Sequence, residues 1–129
     1  MDCPVCDGVM ITLELDEVEI DHCIDCGGIW LDAGELEMLL GDSTAAKTVV
    51  ASFSAAAGCR EKPRKCPICL KKMEKINVGP QSKTVLIDRC RKGDGLWFDK
   101  GELEGIFNGA DFDRQHKVQK LLAEMFKAG

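Results

Sequence analysis

The chain has 129 residues and a mass of 14.1 kDa, which fits one domain or two very small ones. No apolar run reaches the length of about 20 residues that a transmembrane helix needs. Residues 1–8 lack the basic and apolar regions of a secretory signal, so we expect a cytoplasmic protein with no membrane partner. Because half of such a chain is too small to bury a large core, we expect another source of stability.

Charge is distributed unevenly along the chain. Residues 1–42 contain 12 acidic side chains and neither Lys nor Arg, whereas residues 43–129 contain 17 basic and 10 acidic ones. The opposite charges predict that the two halves contact each other, within one chain or across a dimer, or that the basic half faces an acidic partner. Two solvated surfaces explain the same distribution equally well.

The chain contains two copies of one unit. Cys-Pro-Val-Cys at 3–6 recurs as Cys-Pro-Ile-Cys at 66–69, and the segment 23–37 recurs at 90–104 with eight identical positions. The first pair of segments is offset by 63 residues and the second by 67, so the middle of the second unit is four residues longer. We call these copies the first and the second unit.

Each unit has the pattern of a β-hairpin followed by a short helix. Apolar and polar residues alternate at 11–15 and 18–22, and again at 73–78 and 84–88 on either side of a Gly-Pro turn. Asp32 with Glu35, and Asp99 with Glu102, match the capping box that begins a helix. We therefore predict helices at 35–40 and 102–107, and we interpret the two Glu as capping residues rather than general bases.

Two segments lie outside the repeat. Residues 41–60 are rich in Ala and favour a helix with Val49, Val50 and Phe53 on one side, with a mobile linker as the alternative. Apolar residues at helical spacing predict an amphipathic helix over about 111–127, whose apolar side suits a core or homodimer contact. These residues are Val118, Leu121, Leu122, Met125 and Phe126.

The cysteines of the first unit have the spacing of a structural zinc site. Two Cys-x-x-Cys pairs separated by a hairpin bring four thiolates together in a tetrahedron. A disulfide framework is disfavoured because no secretory signal is expected, and a redox pair would favour a βαβ setting. An iron–sulfur cluster held by the same four thiolates is the remaining alternative. Thiolate coordination would supply the stability that a small core lacks. The predicted ligands are Cys3, Cys6, Cys23 and Cys26.

The second unit has only three aligned cysteines, Cys66, Cys69 and Cys90, because Gly93 stands where the fourth is expected. Asp94, one position later, is the favoured fourth ligand, since a carboxylate oxygen also binds zinc. Four alternatives remain: Cys59, His116, a water molecule that leaves an open coordination position, and a unit without metal. We expect two Zn²⁺ per chain.

This arrangement resembles the small bacterial zinc-ribbon family labelled transcription-factor-IIB-type zinc finger, over residues 1–40 and 63–107. The resemblance implies a zinc ribbon like that of a general transcription factor. The second unit looks like a family variant with Cys-x-x-Gly-Asp/His-Gly-x-Trp at its last ligand, which again favours Asp94. The matching residues are Cys3, Cys6, Cys23, Cys26, Gly28, Trp30, Asp32, Gly34, Glu35 and Leu36.

We therefore predict a small, metal-stabilised α+β protein made of two zinc ribbons. The first ribbon spans 1–41, an Ala-rich linker spans 42–62, the second ribbon spans 63–108, and the C-terminal amphipathic helix spans 109–129. Trp30 and Trp97 are expected to cover the hairpins or zinc-binding turns rather than form an exposed stacking platform. His22 is expected to be an exposed strand residue or a hydrogen-bond partner of a sulfur.

The predicted function is that of a non-enzymatic zinc protein that binds a macromolecule, most plausibly another protein, in transcription-related regulation. The first unit lacks the positive charge that neutralises phosphates. The alternative is nucleic-acid or acidic-partner binding through the basic second unit. A further alternative is an enzyme or redox sensor with an incompletely coordinated second zinc. The basic residues are Lys71, Lys72, Lys75, Lys83, Arg89, Arg91 and Lys92.

Overall fold

The computed structural model describes residues 1–15, 17–41, 44–56, 64–79 and 84–108. These residues form one antiparallel sheet with short helices packed on it. The strands are β1 (Ile11–Leu15), β2 (Val18–His22), β3 (Ile29–Asp32), β4 (Ser54–Ala55), β5 (Glu74–Val78), β6 (Val85–Arg89) and β7 (Gly95–Phe98), and the helices are α1 (Glu35–Leu40), α2 (Thr44–Ala51) and α3 (Glu102–Asn108). The strand order across the sheet is β1-β2-β3-β7-β6-β5-β4.

Each unit contributes a hairpin and a third strand to the sheet. In the first unit, β1 and β2 pair around a two-residue turn with Leu15 opposite Val18, and Glu17 in the turn has a φ of 69°. In the second unit, β5 and β6 pair with Val78 opposite Val85. The alternation of apolar and polar residues thus predicted both hairpins, whereas the short third strands β3 and β7 were not predicted.

Backbone pairing between the third strands joins the two units. β3 and β7 run antiparallel, with Trp30 opposite Trp97 and Ile29 opposite Phe98. Trp30 and Trp97 occupy the same position of the repeat, so the register is symmetric on either side of them. The predicted contact between the units is therefore made within one chain, by strand pairing.

Two glycines leave space for the tryptophan rings at the junction, by which we mean the pairing of β3 with β7. A Cβ atom on Gly28 would lie 2.1 Å from the indole of Trp97, and a Cβ atom on Gly95 would lie 2.7 Å from the indole of Trp30. Gly28 and Gly95 are equivalent in the repeat, so each unit leaves room for the tryptophan of the other. Both indoles are fully buried.

The sheet separates two layers of buried side chains, because successive residues of a strand face opposite sides. One layer, the helix-side core, includes Leu31 and Phe98 of the sheet together with Leu36 of α1 and Leu103 of α3. The other layer, the metal-side cluster, links both cysteine groups through the tryptophans. It consists of Cys3, Met10, Cys23, Trp30, Cys66, Met73, Cys90 and Trp97.

Helices α1 and α3 begin at the predicted residues, but the predicted capping box is only half formed. Glu35 Oε1 accepts a hydrogen bond from the backbone N–H of Asp32 at 2.6 Å, and the second unit repeats this bond. The Asp32 carboxylate does not cap the helix; it accepts a hydrogen bond from Trp30 Nε1 at 2.9 Å. The residue before α1 is Gly34, which makes no side-chain cap. A buried indole N–H needs a partner, and Asp32 supplies it.

The described part of the Ala-rich segment, residues 44–56, packs against the sheet. Val49 of α2 is buried in the helix-side core, and Val50 and Phe53 pack against that core. β4 pairs with β5 and forms the edge of the sheet, a strand that was not predicted. The predicted C-terminal helix at 109–129 lies outside the described residues. Within the described ranges, no helix has the length and apolar character needed to cross a membrane.

Candidate metal centres

The four cysteines of the first unit converge at the open end of its hairpin. The Sγ atoms of Cys3 and Cys26 are 3.4 Å apart, those of Cys6 and Cys23 are also 3.4 Å apart, and all four lie within 4.8 Å of one another. Sulfurs at about 2.3 Å from a tetrahedral zinc lie about 3.8 Å apart, whereas disulfide sulfurs lie about 2.05 Å apart. The four sulfurs therefore fit a zinc site with all four positions filled by thiolates.

The second unit brings Cys66, Cys69, Cys90 and Asp94 together in the same way, all within 4.8 Å of one another. Asp94 Oδ2 lies 3.4 Å from Cys90 Sγ and 3.6 Å from Cys66 Sγ, and the Sγ atoms of Cys69 and Cys90 are 3.8 Å apart. The carboxylate thus stands where the first unit has its fourth thiol. Three sulfurs and one oxygen also fit a tetrahedral zinc.

Three of the four metal-binding turns share one backbone arrangement. In the turn that begins at Cys3, Cys3 N–H donates to Gly8 O at 2.7 Å and Asp7 N–H donates to Cys3 O at 3.0 Å. The turns that begin at Cys23 and Cys66 repeat both hydrogen bonds. In each, the fifth residue has a left-handed φ, and these residues are Asp7, Gly27 and Leu70.

The turn that begins at Cys90 differs, and the difference explains the ligand Asp94. Its outer hydrogen bond, from Cys90 N–H to Gly95 O, is retained, but its inner bond runs from Gly93 N–H to Cys90 O. The left-handed residue is Gly93, with a φ of 85°, one position earlier than in the other turns. Asp94, the fifth residue of this turn, therefore does not have the left-handed φ that the fifth residue has in the other three turns, and its carboxylate lies among the sulfurs. Gly93 suits this turn because a left-handed φ costs other residues about 1–2 kcal/mol.

The protonation of the thiols links metal binding to pH. Burial raises the pKa of Cys3 far above its usual value and raises the pKa of Cys66 to about 12. Burial also acts to raise the pKa of Cys23, but hydrogen bonds from the Cys26 backbone and the Cys6 thiol outweigh it and lower that pKa to about 7. Zinc binds thiolates, so the metal has to displace these protons. We therefore expect zinc affinity to fall as the pH falls.

Trp30, Trp97 and His22 are buried next to the metal-binding segments. Trp30 and Trp97 cover the cysteines from within the buried cluster, as predicted, and neither forms an exposed platform. The prediction that His22 is an exposed strand residue is wrong, because it is 6% exposed and its Nδ1 lies 3.1 Å from Gly28 O; the alternative, a hydrogen bond to a sulfur, stays a prediction. The same carbonyl accepts the hydrogen bond that closes the turn at Cys23.

The basic residues of the second unit do not form one free patch. Lys75 Nζ lies 2.8 Å from the buried Asp88 carboxylate, and Arg89 and Arg91 both pair with Glu74. Three others, Lys71, Lys72 and Lys92, are exposed, and Lys83 lies outside the described residues. Cys59 and His116, the alternative ligands, also lie outside the described residues.

The comparisons with known proteins agree with this geometry. The family model described as transcription factor zinc-finger, a TFIIB-type zinc ribbon, matches residues 2–42 and 65–109, more than half of the chain. No curated protein and no solved structure matches the chain. The two matched segments confirm the tandem repeat and, with the two ligand groups, confirm the predicted α+β fold of two zinc ribbons that fit two zinc ions. The chain therefore belongs to the transcription factor zinc-finger family.

Proposed function

We propose that the chain is a non-enzymatic zinc protein that binds another protein, and that the exposed metal-binding turn at 66–71 is part of the binding surface. The observation that supports this most directly is Leu70. Its side chain is 69% exposed and its φ is 63°. A bulky apolar residue in a left-handed conformation is strained, and such strain is concentrated at functional sites.

The first unit provides the contrast. Asp7 occupies the equivalent position with nearly the same φ of 62°, and Asp tolerates that conformation better than Leu. Ile68, in the same turn as Leu70, is 49% exposed. Lys71 and Lys72 follow directly and are exposed. The second unit thus presents two apolar anchors beside two positive charges, which suits an apolar and acidic protein surface.

The metal centres support a structural role for zinc. Each centre offers four donor side chains, and a tetrahedral zinc has four coordination positions. With Asp94 as the fourth ligand, no position is left for a substrate or an activated water. The zinc ions then hold the turns in place while exposed side chains of the turns make the contacts. The family description directs the search for the partner first to transcription proteins.

Affinity capture with matched variants tests the proposal. The zinc-loaded chain is immobilised and exposed to a nuclease-treated lysate of its own host. The same is done with Leu70→Asn, which relieves the strained backbone, and with Val9→Ser, which removes an exposed apolar side chain of the first unit. We expect a partner that the wild type and Val9→Ser retain at high salt and that Leu70→Asn loses. Equal capture by all three variants would contradict the proposal.

Nucleic-acid binding by the second unit is the competing function, and the exposed Lys71, Lys72 and Lys92 near the second centre favour it. The ion pairs of Lys75, Arg89 and Arg91 weigh against it, because Asp88 and Glu74 compensate two of these three positive charges and engage all three side chains. Nucleic-acid affinity that falls steeply with salt would support this function. Loss of that affinity in the triple Ala variant of the exposed lysines would assign it to these residues.

A further inference from the structure

We propose that the outer edge of β1 is a second binding surface, which accepts an extended, positively charged segment of a partner protein as an additional strand. This inference goes beyond the proposed function, because it concerns the opposite end of the sheet from the turn at Leu70. The two surfaces differ in charge and in the backbone groups they present. Each can therefore be tested without the other.

Equivalent strands of the two units differ in whether their outer side is paired. β1 and β5 are equivalent strands of the repeat, with Thr12 corresponding to Lys75. The outer side of β5 is paired with β4, whereas β1 is the terminal strand of the sheet formed by the described residues. The same structural position is thus paired with a strand in the second unit and is an edge in the first. β4 shows that an edge of this geometry can take an added antiparallel strand.

Two residues of β1 direct their backbone groups away from the sheet. In a two-residue hairpin the residues that flank the turn, Leu15 and Val18, are hydrogen-bonded to each other, and the bonded pairs then alternate. Thr12 and Glu14 therefore direct their N–H and C=O groups away from β2. At the position equivalent to Thr12, Lys75 O accepts a hydrogen bond from Ala56 N–H at 3.1 Å. An incoming strand would find the same acceptor at Thr12.

Acidic side chains lie close together at the β1 edge. Glu14 lies directly opposite Glu19 in the β1–β2 pair, and both side chains are exposed. Like charges directly opposite each other destabilise a sheet. The equivalent pair in the second unit, Asn77 and Leu86, has no such repulsion. A Lys or Arg on an added strand beside Glu14 would relieve this repulsion.

The negative charge of the first unit also determines which kind of segment can bind at the β1 edge. The first 42 residues contain 12 acidic side chains and no Lys or Arg, so the edges of two copies of this chain repel each other. A segment that alternates basic and β-branched residues would supply both main-chain hydrogen bonds and opposite charge. This is the recognition mode of strand addition, in which the backbone gives affinity and alternate side chains give specificity.

The test uses the zinc-loaded full chain and synthetic peptides of about eight residues, a common strand length. The probe alternates Lys and Val. One control peptide replaces a central Val by Pro, which keeps the charge but prevents strand pairing, and another replaces each Lys by Glu. Binding is measured by amide NMR titration, and hydrogen exchange is measured at Thr12 and Glu14. We expect only the Lys-Val probe to bind and to protect these two amides.

The variants separate strand addition from charge alone. Glu14→Pro removes an outward N–H without removing a bond to β2, and we expect it to weaken probe binding by at least about fivefold, the equivalent of about one net hydrogen bond, while both zincs stay bound. If Glu14→Pro does not keep its zinc, Glu14→Lys is the second variant. It retains the N–H and reverses the charge, and we expect it to lower the affinity for the Lys-Val peptide as well. Glu17→Gln, which removes an acid in the turn, and Leu70→Asn should bind the probe like wild type.

Three results would overturn the proposal. Equal binding of the Lys-Val and the Pro-containing peptides would show that peptide binding depends on charge attraction and not on strand pairing. Probe binding that is unchanged in both Glu14 variants would place the site elsewhere. Protection of the Thr12 and Glu14 amides in the chain without peptide would mean that the edge is already occupied, by another part of the chain or by a second copy.

Discussion

Trp30 and Trp97 lie directly opposite each other at the centre of the strand pair that joins the two ribbons. Each indole extends over the backbone of a glycine in the other unit and donates a hydrogen bond to the aspartate two residues later in the sequence. These glycines, Gly28 and Gly95, end the turns that contribute the second pair of metal ligands. The junction and the two metal centres are therefore built from the same short segments.

The first prediction concerns Gly28→Ala. The new methyl group would lie 2.1 Å from Trp97, and because the indole is fully buried it has no free space to move into. We expect a loss of about 3 kcal/mol in the free energy of unfolding, measured by urea denaturation in excess zinc. Gly105→Ala is the control, since its new Cβ would lie 3.3 Å from one methyl group of Val85 and helix α3 favours Ala.

A double variant checks the cause. Combining Gly28→Ala with Trp97→Leu removes the ring that causes the clash, so its loss should be smaller than the sum of the two single losses. Additive losses would show that Gly28 is required for another reason, such as the conformation of its metal-binding turn.

The second prediction concerns the fourth ligand of the second centre. Asp94→Ala should lower the zinc content from two ions to one per chain in native mass spectrometry. The three remaining thiols of the second centre would leave one position of a tetrahedral zinc without a protein ligand. Asp94→Asn, which keeps the shape of the side chain but removes its charge, should weaken zinc binding without changing the turn. Retention of two tightly bound zincs in Asp94→Ala would mean that another group completes the site.

The third prediction follows from the shifted turn. Sequence alignment alone suggests that Gly93→Cys would restore a four-cysteine site. Gly93 has a left-handed φ of 85°, so Cys there would be strained by about 1–2 kcal/mol. We expect Gly93→Cys with Asp94→Ala to bind the second zinc more weakly than wild type, measured by competition with a chelator. Binding tighter than wild type would show that the turn readily adopts the arrangement found at Cys23.

The fourth prediction concerns the ion pair between Lys75 and Asp88, whose side chains are 8% and 1% exposed. Burial raises the pKa of Asp88 and Lys75 opposes that rise. Lys75→Met leaves a buried carboxylate without its cation and should cost about 3–5 kcal/mol in urea unfolding. Lys75→Met with Asp88→Leu should recover most of the loss. The exposed Arg91 is the control, and Arg91→Ala should cost less than about 1 kcal/mol.

The fifth prediction concerns Glu35. Burial raises its pKa above the usual value, and the neighbouring carboxylates of Asp32, Asp21 and Glu19 add to the rise, while the Asp32 N–H opposes it. The folded state therefore binds this proton more tightly than the unfolded state. The resulting stabilisation is present below the unfolded-state pKa and is lost as the pH rises through the folded-state value.

Glu19→Gln should accordingly lower the pKa of Glu35. The measurement is a carboxyl-carbon NMR titration over the pH range in which both zincs stay bound. Glu17→Gln, at the exposed turn, should leave the Glu35 value unchanged. A Glu35 pKa that responds equally to both variants would indicate general charge screening rather than the local carboxylates.

The parts of this fold that could be predicted from the sequence are those marked by a pattern of neighbouring residues. Alternating apolar residues predicted the hairpins, and Cys spacing predicted which thiols converge. The pairing of β3 with β7 could not be predicted this way, because a four-residue strand such as Ile29–Asp32 has too few residues for a periodic signal and is extended by its partner in the other unit. The two-residue strand β4 could not be predicted for the same reason.

The details of the sites depend on nonlocal contacts. Asp94 was favoured by position, but the shift of the left-handed residue to Gly93, which explains how Asp94 reaches the sulfurs, is a property of the backbone. The basic residues of the second unit looked like a patch in the sequence, yet Lys75 and Arg89 pair with acids on neighbouring strands. Charge counted along a chain does not reveal which charges are compensated across a sheet.

The near-twofold register of β3 and β7 has a consequence for how the chain can change over time. An interface that is symmetric about Trp30 and Trp97 would also suit two identical ribbons from separate molecules. Linking the ribbons in tandem makes their association independent of protein concentration. It also frees the two copies to diverge. One ribbon is acidic and the other basic, and one has a carboxylate where the other has a thiol, while the strand pair, glycines and tryptophans between them are matched.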